Sequence, residues 1–301
     1  MIEFKPITLK DKATYSRYLL DGKERGCEYS FNNLYMWGNQ QAAILHNHMV
    51  LFSQFNHRNI YPYPLGNGDK KIVLNALMQD ARERGIPFHI SGLYGDARQT
   101  LEKLYPGKFQ FHSDPDSYDY VYSIDDLAEL KGKKYHRKKN HYNRFRNTFP
   151  DYTVEPIDDS NLPRVREMIA IWYKDRLQEA PDNDYQMEQI ALEKALNHYQ
   201  ELSMEGLILL NNNEILAVTL GSKLSDTTLD VHFEKARWDV NGAYAAINCE
   251  FAQYIRKKYP QIQFLDREDD MGLEGLRKAK QSYHPHHMVE KCWASLVEEL
   301  S

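Results

Sequence analysis

From Asp151 onward the apolar residues change period in a readable order. "YTVEPI" (152–157) alternates as a strand does, with successive side chains on opposite faces. Asp158, Asp159 and Ser160 then offer caps for a helix over "NLPRVREMIAIWYKDRL", where Leu162, Val165, Met168, Ile169 and Trp172 recur at helical spacing. A second helix is predicted over "YQMEQIALEKALNHYQELSM" through Met187, Ile190, Ala191, Ala195, Tyr199 and Leu202. The period then shortens: "GLILL", the turn residues Asn211 to Asn213, "ILAVTLG", a polar break at Ser225 and Asp226, and "TTLDVHFEKA" predict a three-stranded meander. "GAYAAINCEFAQYIRKKYP" is amphipathic through Tyr244, Ile247, Phe251 and Tyr254, "IQFLD" reads as a buried strand, and a helix from Leu273 with a last strand in "HMVEKCWASL" close the lobe.

This element order resembles the GNAT (acyl-CoA N-acyltransferase-like) fold. The first part of the chain offers a looser version: a helix near "KDKATYSRYLL", strands in "QAAILHNHMVLFSQF", a helix at "KIVLNALMQDARERG", the strand "PFHISGLY", a helix at "ARQTLEKLYP" and a closing strand at "DYVYS". The expected class is α+β, with two tandem GNAT-like lobes of mixed sheets flanked by helices. The N-terminal lobe would span 1–125, and the C-terminal lobe 126–301 with a basic bridging helix over 131–149. No sequence repeat links the halves.

The chain has 301 residues, 38 Lys and Arg against 43 Asp and Glu, and a formal charge of −5. That balance excludes a generally basic nucleic-acid binder, so any anion-binding surface must be local. Cys27, Cys249 and Cys292 are odd in number and far apart, which fits neither a disulfide framework nor a close-spaced zinc site and points to a reducing, cytoplasmic setting. No stretch approaches the roughly 18 apolar residues of a membrane span. No transmembrane segment is therefore expected, while peripheral contact with a membrane stays open.

One segment is strongly basic. "KGKKYHRKKNHYNRFRN" holds Lys131, Lys133, Lys134, Arg137, Lys138, Lys139, Arg144 and Arg146. Tyr135, Tyr142, Phe145 and Phe149 form one stripe on a helix, which would dock by its aromatics and display its charge. Two readings stand: a solvated linker helix, or an anion site for RNA backbone, nucleotide phosphates or acidic headgroups. In the second, Lys134, Arg137, Lys138 and Arg144 hold phosphate and Asn140 and His141 add hydrogen bonds.

"DREDDMGLEGLRKAKQSYHP" (266–285) sets acids and cations on either side of a turn. In a GNAT-like lobe the preceding strand splays from its neighbour, and the residues at its carboxyl end face the cleft. Continued strand geometry would put Asp266, Glu268 and Asp270 on one side and Arg267 and Asp269 on the other. Glu268 and Asp270 are candidates for taking an acceptor's proton, since a crowded carboxylate pair raises the pKa of one member. Asp266 would contact substrate. The next helix would turn Leu273, Leu276, Ala279 and Tyr283 inward and leave Arg277 or Lys280 to neutralise a donor phosphate or a developing oxyanion. A purely structural reading pairs Glu274 with Lys278 and lets the acids favour the helix start. His284, His286 and His287 lack a second cluster at ligand spacing, so no metal is expected.

Together "SFNNLYMW" (30–37), the basic segment and "DREDDMGLEGLRKAKQSYHP" resemble the DUF2156 family, which is similar to the C-terminal region of phosphatidylglycerol lysyltransferases and to the Fem peptidyltransferases. The resemblance implies a tandem GNAT-like fold and transfer of an aminoacyl or acyl group to an amine or hydroxyl. The donor would be aminoacyl-tRNA or acyl-CoA, with no permanently bound cofactor and with tRNA or another phosphate-bearing donor as partner. Where acetyltransferases place a glycine-rich pyrophosphate loop, this chain reads "DVNGAYA" (239–245), with Asp239 and Tyr244 ill suited to a pyrophosphate. That ranks aminoacyl-tRNA above CoA. The alternatives are an RNA- or anion-binding protein on a transferase scaffold and a CoA-dependent N-acetyltransferase.

Overall fold

The computed structural model describes residues 1–19, 26–55, 58–179 and 183–297. Leu20, at the end of the first expected helix, lies outside them. The chain forms two compact units, Met1–Asp119 with Val289–Ser301, and Tyr120–Met288.

The first unit begins with β1 (Lys5–Pro6), α1 (Lys12–Leu19), α2 (Phe31–Trp37), β2 (Gln40–Leu45), β3 (His48–Phe55), β4 (Arg58–Pro62) and β5 (Leu65–Gly66). It continues through α3 (Lys70–Arg84), β6 (His89–Ser91), α4 (Ala97–Leu104) and β7 (Phe109–Ser113). The second opens with β8 (Asp119–Ser123), α5 (Ile124–Glu129), α6 (His136–Thr148), β9 (Thr153–Pro156), α7 (Leu162–Glu179) and α8 (Asn183–Asn197). The meander follows as β10 (Glu205–Asn211), β11 (Glu214–Lys223) and β12 (Thr228–Ala236), then α9 (Ala243–Lys258), β13 (Phe264–Asp266), α10 (Glu274–Gln281) and β14 (His287–Val289), and the chain returns to the first unit with β15 (Cys292–Leu296).

One sheet runs β1-β2-β3-β4-β6-β15-β7 with β5 beside β3, and the other β14-β8-β13-β12-β11-β10-β9. Two strands therefore sit where the sequence order does not put them. β15, expected to close the second lobe, pairs antiparallel with β7 from Cys292↔Ser113 to Leu296↔Phe109 and with β6 on its other side. β8, expected to close the first lobe, pairs with β13 in the second sheet. Alternation determines which face of a strand is buried but not which strand it pairs with, so this exchange is invisible to the period of either segment.

In the second unit, α9 lays Ala246, Ile247, Phe251 and Ile255 on Leu207, Leu209, Leu216 and Leu229 of the meander. Burying side chains of this size stabilises the fold by about 1.5–3 kcal/mol each. α6 docks on the same core through Phe145, which is fully buried, with Tyr142 and Phe149 partly covered beside it. Tyr135 is buried just before the helix. The aromatic stripe thus faces inward as its spacing requires, although the helix starts at His136, because Gly132 has φ +87° and a 3-10 turn occupies Lys133–Tyr135.

Candidate functional site

The site is built where two parallel strands part. β12 and β13 are in register at Thr228↔Phe264, Leu229↔Leu265 and Asp230↔Asp266, and pairing stops there although β12 runs on to Ala236. On β12 the register against β11 passes from Val231↔Gly221 to Phe233↔Leu220, which leaves His232 as the extra residue of a β-bulge. Gly221 stands opposite; a Cβ there would lie 2.4 Å from the Asp230 carbonyl, so this close approach of the strands requires glycine. The bulge shifts the side-chain phase. His232 meets Ser222 of β11 and Glu268 beyond β13, whereas Glu234 meets Arg267 and α9, where Asn248 Nδ2 donates to its Oε2 at 3.3 Å.

Side chains bridge the parting on both sides. His232 Nδ1 lies 3.2 Å from Glu268 Oε1 and 3.4 Å from Asp230 Oδ2, and its Nε2 lies 2.8 Å from Ser222 Oγ. Arg267 Nη2 donates to Glu234 Oε1 at 2.9 Å. Arg267 and Lys138 of α6 both approach Tyr283, with Lys138 Nζ 3.8 Å from the ring centroid and the Arg267 guanidinium 5.0 Å from it. Burial, followed by the charges of Arg267 and Arg137, brings Lys138 down to about 8.

The expected alternation after β13 does not persist. Glu268 adopts φ +57°, and Met271 and Gly272 are also left-handed, so the segment turns rather than continuing as a strand. Asp266 is buried at the end of β13 and accepts from the Glu268 N–H at 2.8 Å. Asp270 is held from four directions: Arg277 Nε at 2.8 Å and Nη2 at 2.7 Å, Tyr120 OH at 2.6 Å and the Gly272 N–H at 2.9 Å. The Arg277 guanidinium above all holds its carboxyl down at about 2, opposite to the upward shift expected of a crowded pair. Asp270 is therefore a permanent anion at neutral pH, and the candidate proton acceptor narrows to Glu268.

Lys280 also differs from expectation. It is buried, and its ammonium donates to the carbonyls of Arg267, Glu268 (3.1 Å) and Asp269. Its hydrogens are spent on the turn, so it shapes the loop carrying Glu268 and does not meet a donor phosphate. α10 is rotated from the expected face: Lys280 is buried while Leu273 and Ala279 are exposed, and Tyr283, just beyond the helix, is buried as expected. Glu274 and Lys278 make the i, i+4 pair at 2.5 Å. Asp119 lies buried in the first unit, where Lys291 Nζ bonds it at 2.7 Å and Glu28 at 2.9 Å.

The remaining basic residues divide. Lys134 pairs with Asp126 at 3.1 Å, and Asn140 lies 3.4 Å from His136. Arg137 and Arg144 lie seven residues apart on one exposed stripe of α6, with His141 between them. Burial and the charges of Lys138, Arg137 and Arg144 lower the pKa of His141, which marks these cations as one field.

α6 also covers the start of α9. Gly242 caps that helix at φ +86°, and a Cβ on it would lie 2.4 Å from the His141 carbonyl and 3.2 Å from Phe145 Cβ. Gly242→Ala is expected to lower stability by about 2 kcal/mol, read as a lower urea midpoint with an unchanged slope. Asp239, in the stretch that corresponds to a pyrophosphate loop, is gripped by Arg237 Nε at 3.0 Å and Nη2 at 2.7 Å.

His232, Ser222, Glu234, Asn248 and Arg267 are absent from the candidates named from sequence. A signal was available: Asp230, His232 and Glu234 put three polar side chains into a strand flanked by apolar ones, and buried polar groups in a central strand need partners.

Comparison with known proteins finds the same fold in other chains. A protein of unknown function from Bacteroides thetaiotaomicron VPI-5482 superposes with a TM-score of 0.91 at 39% identity, covering 99% of this chain and 100% of that one. L-PGS from Bacillus licheniformis gives 0.68 at 14% identity over 99% of this chain and 95% of that one. FemX gives 0.60 at 12% identity over 98% of each chain. An uncharacterised protein of Mycoplasmoides gallisepticum is 21% identical over 183 residues, which is 60% of this chain and 57% of that protein. The family described as phosphatidylglycerol lysyltransferase, C-terminal, matches residues 21–295, and the chain belongs to that family.

Proposed function

We propose that the protein is an aminoacyltransferase that takes its acyl group from a tRNA-borne ester and passes it to an amine or hydroxyl acceptor at the parted ends of β12 and β13. The observation that carries this reading is the hydrogen bond of Glu268, beyond β13, to His232 on β12 across the parting. A carboxylate oriented by an imidazole is equipped to accept a proton from an attacking group. In the proposed step the acceptor's nitrogen or oxygen bonds to the ester carbonyl carbon while its proton passes to Glu268. The carbon's bond to the tRNA ribose oxygen then breaks, and that oxygen takes up the proton. His232 shares the charge of Glu268 and sets its direction. The Asp270–Arg277–Tyr120 group and Lys280 hold the turn that presents it.

The exposed cations of α6 supply the donor's phosphate contacts in this reading. The family description names a lysyltransferase, which supports an aminoacyl group as cargo. The packing of His141 and Phe145 against Gly242 favours tRNA over CoA because it fills the region a pyrophosphate would need at the start of α9.

The experiment is a salt series of binding to bulk aminoacyl-tRNA, followed by transfer of the labelled amino acid into acid-stable product. Tight binding at low salt is expected, falling steeply as salt rises. Arg137→Ala with Arg144→Ala should weaken it and make the slope of log K against log salt shallower by about 1.5, as loss of two phosphate contacts requires. Affinity for tRNA that is absent or indifferent to salt overturns the donor assignment, and a rise in melting temperature with CoA alone would transfer it to CoA.

A further inference from the structure

Away from the strand parting, the second unit carries a cleft of about 490 Å³, a size that suits a small organic ligand. One wall is a single face of α7, where Glu167, Met168, Ile171, Trp172 and Asp175 follow one another at helical spacing. The other wall comes from the β10–β11 turn and the segment after β12, with Trp238 projecting from the latter. Ile171 is 61% exposed and Trp238 74% exposed, so large apolar surface is left open to water at the cleft. Folding gains nothing from exposing two such side chains at one cleft, whereas a ligand does.

The charges at the cleft are unevenly committed. Arg164 donates to the Asn213 carbonyl, and Arg237 is taken by Asp239 and by Glu214 at 3.0 Å. Among the described residues, Glu167 and Asp175 have no ion-pair or hydrogen-bond partner. Four carboxylates thus face two guanidinium groups that are already engaged, beside the exposed indole of Trp238 and that of Trp172, one face of which already carries the Lys235 ammonium at 4.1 Å. Aromatic faces and free carboxylates both attract organic cations, and the aliphatic floor of Met168 and Ile171 accepts a methylene chain.

We propose that this cleft binds a primary ammonium group on an apolar stem, the chemistry shared by diamines and by a lysyl side chain. The site is independent of the transfer reaction assigned above and contains none of its residues. It predicts a saturable change in tryptophan fluorescence when the intact protein is titrated with cadaverine, and binding at least about tenfold weaker for the neutral 1,5-pentanediol. Asp175→Asn should weaken cadaverine by about tenfold, and Trp238→Phe should remove most of the signal, both with an unchanged melting temperature because these side chains are partly or largely exposed. Nα-acetyl-lysine amide binding as well as cadaverine identifies a lysyl side chain as an adequate ligand; cadaverine binding alone identifies a free diamine. The proposal is overturned if neither amine saturates, if pentanediol binds equally, or if Asp175→Asn leaves cadaverine binding unchanged.

Discussion

Glu268→Gln should leave tRNA binding intact and lower the rate of transfer by about 100- to 10,000-fold, the range a positioned acid–base group contributes. The substitution keeps the volume and the hydrogen-bonding reach of the side chain but removes the negative charge that accepts the proton. Glu268 is well placed for such a test because its conformation is determined from outside the side chain. Its backbone sits at φ +57°, its N–H is bonded to Asp266 and its carbonyl is bonded by Lys280. The amide should therefore occupy the same place as the acid. His232→Asn should cost a similar factor, since it removes the partner that orients the carboxylate. Ser222→Ala should cost less than about tenfold, because Ser222 touches only the far nitrogen of the imidazole, at 2.8 Å. Single-turnover transfer measured with saturating tRNA separates these outcomes from binding. Unchanged transfer in Glu268→Gln would remove the residue from the chemistry and leave the binding face of α6 standing.

Much of this arrangement is legible in the chain. The switch from period 3.6 to period 2 after Met204 locates the meander, the offsets among Tyr142, Phe145 and Phe149 orient α6, and the acidic end of "QFLD" marks the parting. What is not legible depends on partners distant in sequence or on backbone states that pattern does not encode. The bulge at His232 inserts one residue and sends Glu234 to a different neighbourhood, although strict alternation puts the two on one face. Glu268 is neither glycine nor asparagine, so nothing local announces its left-handed backbone; the bonds to Asp266 and Lys280 impose it. Lys280 reads as a surface cation on an amphipathic helix, yet three carbonyls left over by the turn make burial of its ammonium worthwhile. β15 carries a plain alternating pattern, and only the gap between β6 and β7 gives it a destination.

The second large effect is on stability. Asp270→Ala should destabilise the protein by about 3–5 kcal/mol at pH 7, since it strips a buried anion from a guanidinium and a phenol that were positioned by it. The Asp270 side chain is 0% exposed and that of Arg277 is 35% exposed, so Arg277 can partly recover by turning to water, which places the expectation toward the lower end. Asp270 also carries a signature in acid. Its carboxyl titrates near 2 in the folded protein against an ordinary value of 3.8, so folding favours the ionised form. That stabilisation is complete above about pH 5 and disappears as pH falls through 4 toward 2, and it amounts to about 2 kcal/mol. Asp270→Asn lacks the titrating group. The stability difference between wild type and Asp270→Asn, taken from urea midpoints at each pH, should therefore shrink by about 2 kcal/mol between pH 5 and pH 2. A difference that stays constant over that range would show that Asp270 is not held as an anion by Arg277. The turn that presents Glu268 would then need another source of rigidity, and Lys280, bonded to the carbonyls on either side of it, is the group to replace next.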